Sequence, residues 1–296
     1  MNCSICASKQ IEIKFNITPA WQVLHCNQCG VEFLFPQLND EDLHKLYSEN
    51  YYAAWGVQGT KENESTKQMK TATFLLRLSL IRKYVQHGKI LDVGCATGYF
   101  LEAAQNMAFK PFGVELSDYS SRISKNKFGD ETIFCGTLEQ CTFPERMFNV
   151  IAMSDLIEHV RIPEKTLSRA AELLKDDGVI MIMTPDTKSV SNNIMGRKWT
   201  HYKLEHFFYF EHASMNFLAN KCGLYIAHYE RSKKALNIEY LHTQYNVYKH
   251  WLLTPLVNTL HFLLPAKLRS ANFYFSIGEM VVILKKQTKN AQQASK

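Results

Sequence analysis

The sequence predicts an α/β fold: a mostly parallel sheet with helices on both faces, preceded by a small metal-stapled module. Three observations predict it. From Lys89 onward, short apolar runs alternate with longer amphipathic segments, the pattern of strands joined by crossover helices. Those runs ("KILDV", "FNVIAMS", "VIMIMTP") are mostly apolar, as expected of strands covered on both faces. Two C-x2-C pairs lie ahead of them, within the first thirty residues.

The 296 residues suffice for one large domain or two modest ones, and 46% hydrophobic content supports a buried core. Lys and Arg outnumber Asp and Glu by only 34 to 28. This mild excess admits anionic partners but falls short of a nucleic-acid-binding stripe. "MNCSICASKQ" has no basic segment followed by an apolar core, so no secretory signal and a cytoplasmic location are expected. Disulfides are then unexpected among the eight cysteines.

Residues 1–38 read as a zinc ribbon. Cys3 and Cys6 ("CSIC") are followed by nineteen residues and then Cys26 and Cys29 ("CNQC"). Each knuckle aims two thiolates at one centre, and two knuckles complete the tetrahedral sulfur shell of a Zn2+ ion. Four cysteine ligands leave no open position, so the metal is expected to be structural, in a module that docks a substrate or braces the next domain. "IEIKFNI" and "VEFLFPQ" supply its strands, and His25 is read as an ordinary surface residue.

Residues 39–88 read as a helical connector and lid. Leu43, Leu46 and Tyr47 give a short helix, with the aromatics Tyr51, Tyr52 and Trp55 behind it. A clearer helix runs from a Ser65 cap through Met69, Phe74, Leu78, Ile81 and Val85 to a stop at Gly88. From there the strands "KILDV", "KPFGVEL", "ETIFCG", "FNVIAMS" and "VIMIMTP" are separated by helical segments. One of these, "PEKTLSRAAELLKDDG", starts at Pro163, has Leu167, Ala170, Ala171 and Leu174 on its apolar face, and ends at Gly178. Ligands of such sheets sit at the carboxyl ends of the strands.

The turn after the first of these strands, "ILDVGCATGYF", narrows the ligand. A dinucleotide fingerprint would need glycines at 94, 96 and 99, where this chain has Gly94, Ala96 and Tyr99. A P-loop is excluded because no Gly-Lys-Ser/Thr follows. Asp92 to Gly98, D-x-G-x-A-x-G, resembles the first motif of class I S-adenosylmethionine (SAM)-dependent methyltransferases, in the ubiquinone-biosynthesis-like and sugar methyltransferase branch. "FGVELS", "GTLE", "SDLIEHV" and "LLKDDGVIMIMTP" follow in the order of that family. The resemblance covers roughly residues 89 to 231. It implies a Rossmann-like seven-stranded methyltransferase sheet in residues 89–285, with a helical insertion at about 236–273 before the last strand and a polar tail at 286–296.

It also implies a SAM site built from Asp92, Gly94, Ala96 and Gly98, with Glu115 on the ribose, Leu116 and Leu138 as apolar contacts, and Asp155 positioning cofactor or substrate. A carboxylate such as Glu115 can accept from both ribose hydroxyls at once. Thr137 stands where the family commonly has an acid. "LEHFFYF" resembles the acceptor-side E-H-x-x-x-F stretch, making His206 the leading general-base candidate, His159 the second, and His201 and His212 lesser ones.

"GLYIAHYE" reads as strand six and "SIGEMVVILKK" as strand seven, antiparallel at the sheet edge. Between Tyr240 and Phe275 there is no acidic residue, and the 16-residue stretch "WLLTPLVNTLHFLLPA" is broken by Pro255 and Pro265. A bilayer span takes about 20 apolar residues. The insertion is therefore expected to cover the sheet or form a homodimer interface; the alternatives are peripheral contact with the inner face of a membrane or closure over a lipid-linked acceptor. The resemblance implies O-methylation of a small or glycan-linked hydroxyl, as no large domain of the C-methylating sugar enzymes follows. A quinone or lipid acceptor, or a SAM-fold binding protein without turnover, is the alternative, and no nucleic-acid partner is expected.

Overall fold

Seven strands form the central sheet of the computed structural model, which describes residues 1–39, 41–42, 57–58, 61–62, 64–247, 249, 251 and 253–287. The expected short helix and aromatic lid between 43 and 56, and the tail beyond 287, lie outside the described residues. The chain divides into two units, residues 1–37, 78–232 and 278–296, and residues 38–77 and 233–277.

The first unit begins with the ribbon strands β1 (Ile11–Asn16), β2 (Gln22–Cys26) and β3 (Glu32–Phe35). β2 was not foreseen: "QVLHC" runs straight into the second knuckle, so its pattern is masked by the cysteine spacing. The sheet strands are β4 (Gly88–Val93), β5 (Phe109–Glu115), β6 (Ile133–Cys135), β7 (Phe148–Ser154) and β8 (Leu174–Pro185). β9 (Phe208–Tyr209), β10 (Leu224–Arg231) and β11 (Glu279–Lys286) follow. The central order is β10-β11-β8-β7-β4-β5-β6. β4 to β8 pair in parallel and β11 runs antiparallel to both neighbours.

Strand seven is therefore internal and β10 forms the edge. Its run Glu279–Leu284 is buried throughout, whereas β10 is largely part-exposed.

Helices α1 (Tyr99–Asn106), α2 (Asp118–Phe128), α3 (Pro163–Leu173) and α4 (His212–Lys221) belong to this unit. Ser117 caps α2 through its side chain, and Glu211 with Ser214 closes a reciprocal capping box on α4. α3 ends earlier than its pattern suggests. Leu174 already pairs with Phe148 in the sheet, and Gly178 lies inside β8, where an added Cβ would stand 2.8 Å from the Asn149 carbonyl oxygen. The helix Glu64–Ile81 likewise stops short of Gly88, which opens β4. Tyr84 and Val85 close its last turn by donating backbone hydrogen bonds to the Ile81 carbonyl.

The ribbon shares its sheet with the later chain. β9 adds to the β1-β2-β3 sheet as a fourth strand, with Phe208 opposite Phe33 and Tyr209 opposite Glu32.

In the second unit, strands Lys234–Leu236 and Phe273–Phe275 pair antiparallel and enclose helices Ile238–Val247, Leu253–Leu263 and Ala266–Arg269. The insertion is thus bounded by a strand pair at its base. Among the described residues, no helix is long and apolar enough to cross a membrane.

Candidate cofactor and acceptor site

The strand order reverses around β4. The chain runs outward through β5 and β6, then returns to lay β7 on the other side of β4. The crevice at the carboxyl ends of β4 and β7 is the position where such sheets bind ligands.

The turn after β4 is held open by its own backbone. Gly94, Ala96 and Gly98 all have positive φ, at 81°, 47° and 85°. Glycine tolerates this; alanine does not without support. The support is Glu115 at the end of β5: the Ala96 N–H donates to its Oε2 at 2.8 Å, and the Ser117 N–H to its Oε1 at 2.8 Å. On the other side the Ser124 hydroxyl donates to the Ala96 carbonyl at 2.7 Å. Gly98 initiates α1, and a Cβ there would lie 2.6 Å from the Phe128 ring. Gly113 on β5 is bare for a similar reason, since the Cys95 sulfur would stand 2.6 Å from its Cβ.

Each Glu115 oxygen has thus accepted one backbone donor, leaving lone pairs for a pair of vicinal hydroxyls. Burial raises its pKa above the usual carboxylate value, against the lowering effect of those backbone donors. Asp92 is buried on β4. Leu116 stands 72% exposed, while Leu138 is packed away at 2%. Gly136 is tied to the Glu115 carbonyl, which sets "GTLE" beside the β5 end. Glu139 turns instead to the Thr166 hydroxyl of α3, 2.6 Å away.

After β7, Asp155 adopts a φ of 53° and donates its N–H to the Met183 carbonyl of β8. A short 3-10 turn, Ile157–His159, then brings the two E-H dipeptides of the sequence together. His159 Nδ1 lies 3.0 Å from the Glu205 carbonyl, and the Phe207 N–H donates to the Glu158 carbonyl at 2.8 Å. With Nδ1 donating, Nε2 of His159 keeps its lone pair. The His159 and His206 rings meet edge to face, 4.6 Å between centroids. Burial pushes the His159 pKa down to about 4 and that of His206 well below its usual value, the latter with help from His159, Lys203 and His201. Among the described residues, His206 Nδ1 is buried with no hydrogen-bond partner.

Beside them, Glu158 is buried and accepts from the Thr184 hydroxyl at 2.9 Å; burial and then Asp155 raise its pKa. One donor atom each from Glu158, His159 and His206 lies within 4.8 Å of the others, a set that would also suit a divalent cation.

Of the lesser candidates, His201 joins the cluster, stacking at 6.3 Å from His206. His212 does not, its ring packing on Tyr229. Glu158 and Glu205 were not foreseen as functional. The repeated E-H dipeptide was their signal, each glutamate's backbone carbonyl receiving a hydrogen bond from the other segment.

The four ribbon cysteines converge. Cys3 and Cys29 sulfurs are 3.8 Å apart, Cys6 and Cys26 3.5 Å, and all four lie within 4.8 Å of one another. Zinc–sulfur bonds of about 2.3 Å in a tetrahedron require sulfurs about 3.8 Å apart. Both knuckles are built alike: Ala7 and Gly30, each one residue past its second cysteine, have positive φ and donate back to the carbonyls of Cys3 and Cys26. The donor set and spacing fit Zn2+.

Comparison with known proteins gives this geometry a family. A methyltransferase domain model matches residues 65–229, more than half of the chain. The ubiquinone biosynthesis O-methyltransferase of Coxiella burnetii (strain RSA 493 / Nine Mile phase I) is 29% identical over 115 residues, 37% of this chain and 49% of the relative. The chain thus spans about half the length of the curated relatives it matches. Among solved structures, the PH0226 protein of Pyrococcus horikoshii superposes with a TM-score of 0.52 at 14% identity, covering 81% of this chain and 99% of that one. A SAM-dependent methyltransferase of Thermotoga maritima does so at 0.51 and 17%, covering 80% and 96%. These two show the fold. Family match and sheet order together place the chain in the class I SAM-dependent methyltransferase family.

Proposed function

We propose that this chain transfers a methyl group from SAM to a hydroxyl oxygen, with Glu158, His159 and His206 forming the acceptor side of the site. The observation that carries this reading is the His159–His206 pair beside the crevice, with Nδ1 of His206 buried and unpartnered. SAM supplies an electrophilic methyl on a sulfonium. Glu115 and the Gly94–Gly98 turn hold it, and Asp155 helps position cofactor or acceptor. Neutral imidazole would take the proton that the acceptor hydroxyl must lose as its oxygen bonds to the methyl carbon, the carbon–sulfur bond breaking to leave a neutral thioether. His206 is the leading base and His159 the second. A divalent cation on the same donors would serve by lowering the hydroxyl's pKa, and the dependence of turnover on added Mg2+ or Mn2+, with the ribbon cysteines kept zinc-loaded, separates the two.

The acceptor class that the zinc module favours is a sugar or glycan-linked hydroxyl. A quinone-type phenol is the second reading, supported by the names of the curated relatives. Calorimetric titration of zinc-loaded protein with SAM comes first, since absence of binding would remove the enzyme reading. Labelled methyl transfer onto sugar nucleotides, glycolipids and quinones then selects the acceptor. SAM binding with no transfer to any class would favour a binding protein without turnover.

A further inference from the structure

In the second unit, the helix Leu253–Leu263 presents its apolar side to solvent. Val257 is buried, and His261 pairs with Glu239 of helix Ile238–Val247 at 3.0 Å, so the side bearing these two faces protein. Leu256, Leu260 and Leu263, spaced i, i+4, i+7, form a stripe on another side of the helix, and all three are exposed. Phe262 flanks them at 86% exposure, and Trp251, just before the helix, is 84% exposed.

The charge along this segment is one-sided. Lys249 and Lys267 are exposed at either end of the helix, and no acidic residue occurs between Tyr240 and Phe275. Glu239, the acid just outside, is engaged by His261 and Arg269.

We propose that this face docks on an anionic phospholipid bilayer, lying in the interface. An exposed Leu/Phe stripe with a Trp at one end and lysines at both suits a headgroup boundary, where the apolar side sinks and the cations meet lipid phosphates. With 11 residues the helix lies on the bilayer rather than crossing it. A second copy of the chain is the poorer occupant. Two-fold pairing would set this patch against itself, lysine facing lysine with no acid in the segment to answer.

Flotation of the full chain with phosphatidylcholine vesicles, with and without phosphatidylglycerol, tests the proposal. The protein should float with the anionic vesicles, and Trp251 emission should shift to the blue, a shift lost in Trp251→Phe. Lys249→Gln and Lys267→Gln should each weaken partitioning about fivefold. The triple variant Leu260→Ser, Phe262→Ser, Leu263→Ser should abolish it while keeping the wild-type melting curve, because these side chains are exposed. Equal flotation of the triple variant would overturn the proposal. So would failure of the wild type to bind anionic vesicles, whether or not sedimentation shows it to dimerise. None of these readouts depends on methyl transfer.

Discussion

The Tyr202 hydroxyl donates a 2.7 Å hydrogen bond to Glu32, joining the loop before His206 to the third strand of the four-cysteine ribbon. Glu32 is buried and also receives the Lys14 ammonium. The Tyr202 ring packs edge to face on Phe15 of β1 and on Tyr209 of β9. Tyr202→Phe leaves the buried carboxylate one donor short, so it should destabilise the protein by about 1–3 kcal/mol, read from the urea midpoint. A change of a few tenths would mean that Lys14 alone satisfies Glu32.

The same connection would give a metal held by the four cysteines a role at a distance. β9 pairs with β3, and the Leu34 N–H donates to the Phe207 carbonyl at 3.0 Å, so the segment carrying His206 is an edge of the ribbon sheet. A ribbon this small buries little surface without its metal. Zinc-loaded protein should contain one zinc per chain. Cys26→Ser should lose it, lose methyl transfer, and keep SAM affinity within a few-fold, since the Gly94–Gly98 turn rests on β4 and β5. Parallel loss of SAM binding would mean that the ribbon supports the whole sheet rather than the acceptor side.

With Glu115 on the ribose as proposed, cofactor affinity should depend on pH. Its folded pKa is raised by burial, so as pH falls it takes up a proton earlier than an ordinary glutamate, and a protonated carboxyl no longer accepts from two hydroxyls at once. SAM affinity should therefore be full at neutral pH and begin to fall at a pH above the ordinary glutamate value of about 4.3. Calorimetric titrations from neutral toward acid pH would follow it, with Glu115→Gln weaker at neutral pH and flat across the series. A Glu115→Gln variant that kept the wild-type acid dependence would assign the proton elsewhere.

Ala96 is the residue on which the cofactor turn departs from glycine, and its cost is local. An L-residue in the left-handed region is disfavoured by about 1–2 kcal/mol, partly offset by the greater backbone freedom that glycine loses on folding, about 0.5–1 kcal/mol. Ala96→Gly should be neutral to stabilising by about 1 kcal/mol and leave SAM binding intact. Gly98→Ala should destabilise by more than that, because its φ is 85° and its Cβ would meet the Phe128 ring at 2.6 Å. Urea midpoints of the two variants should move in opposite directions or differ plainly in size.

The largely apolar runs made the parallel sheet legible, and the cysteine spacing the four-cysteine cluster, because both depend on short-range pattern. Less legible were features set by pairing across the chain. Gly178 reads as a helix stop but lies within a strand, because Leu174 finds Phe148 first. The last strand reads as an edge yet is enclosed, since its two neighbours end at Pro185 and Arg231, far before Glu279 in sequence. At the candidate site, the family resemblance singled out the glycine turn and Glu115, which the structure joins through the Ala96 N–H. The joining of the ribbon to the His206 segment could not, because two residues of β9, "FY", carry no periodicity.

His159 and His206 sit too close to act independently. Their rings touch, His159 is oriented by the Glu205 carbonyl next to His206, and both stand beside buried Glu158. If the pair handles one proton, removing either partner should disable it. His206→Ala and His159→Ala should each lower kcat roughly 10²–10⁴-fold with SAM affinity little changed, and the double variant should be scarcely worse than the more damaged single one, as expected of residues that act as a unit. Turnover of His206→Ala within a few-fold of wild type would make a general-base role untenable. Additive losses in the double variant would instead assign the two rings separate tasks, one in acceptor binding and one in chemistry, which their KM and kcat values would distinguish.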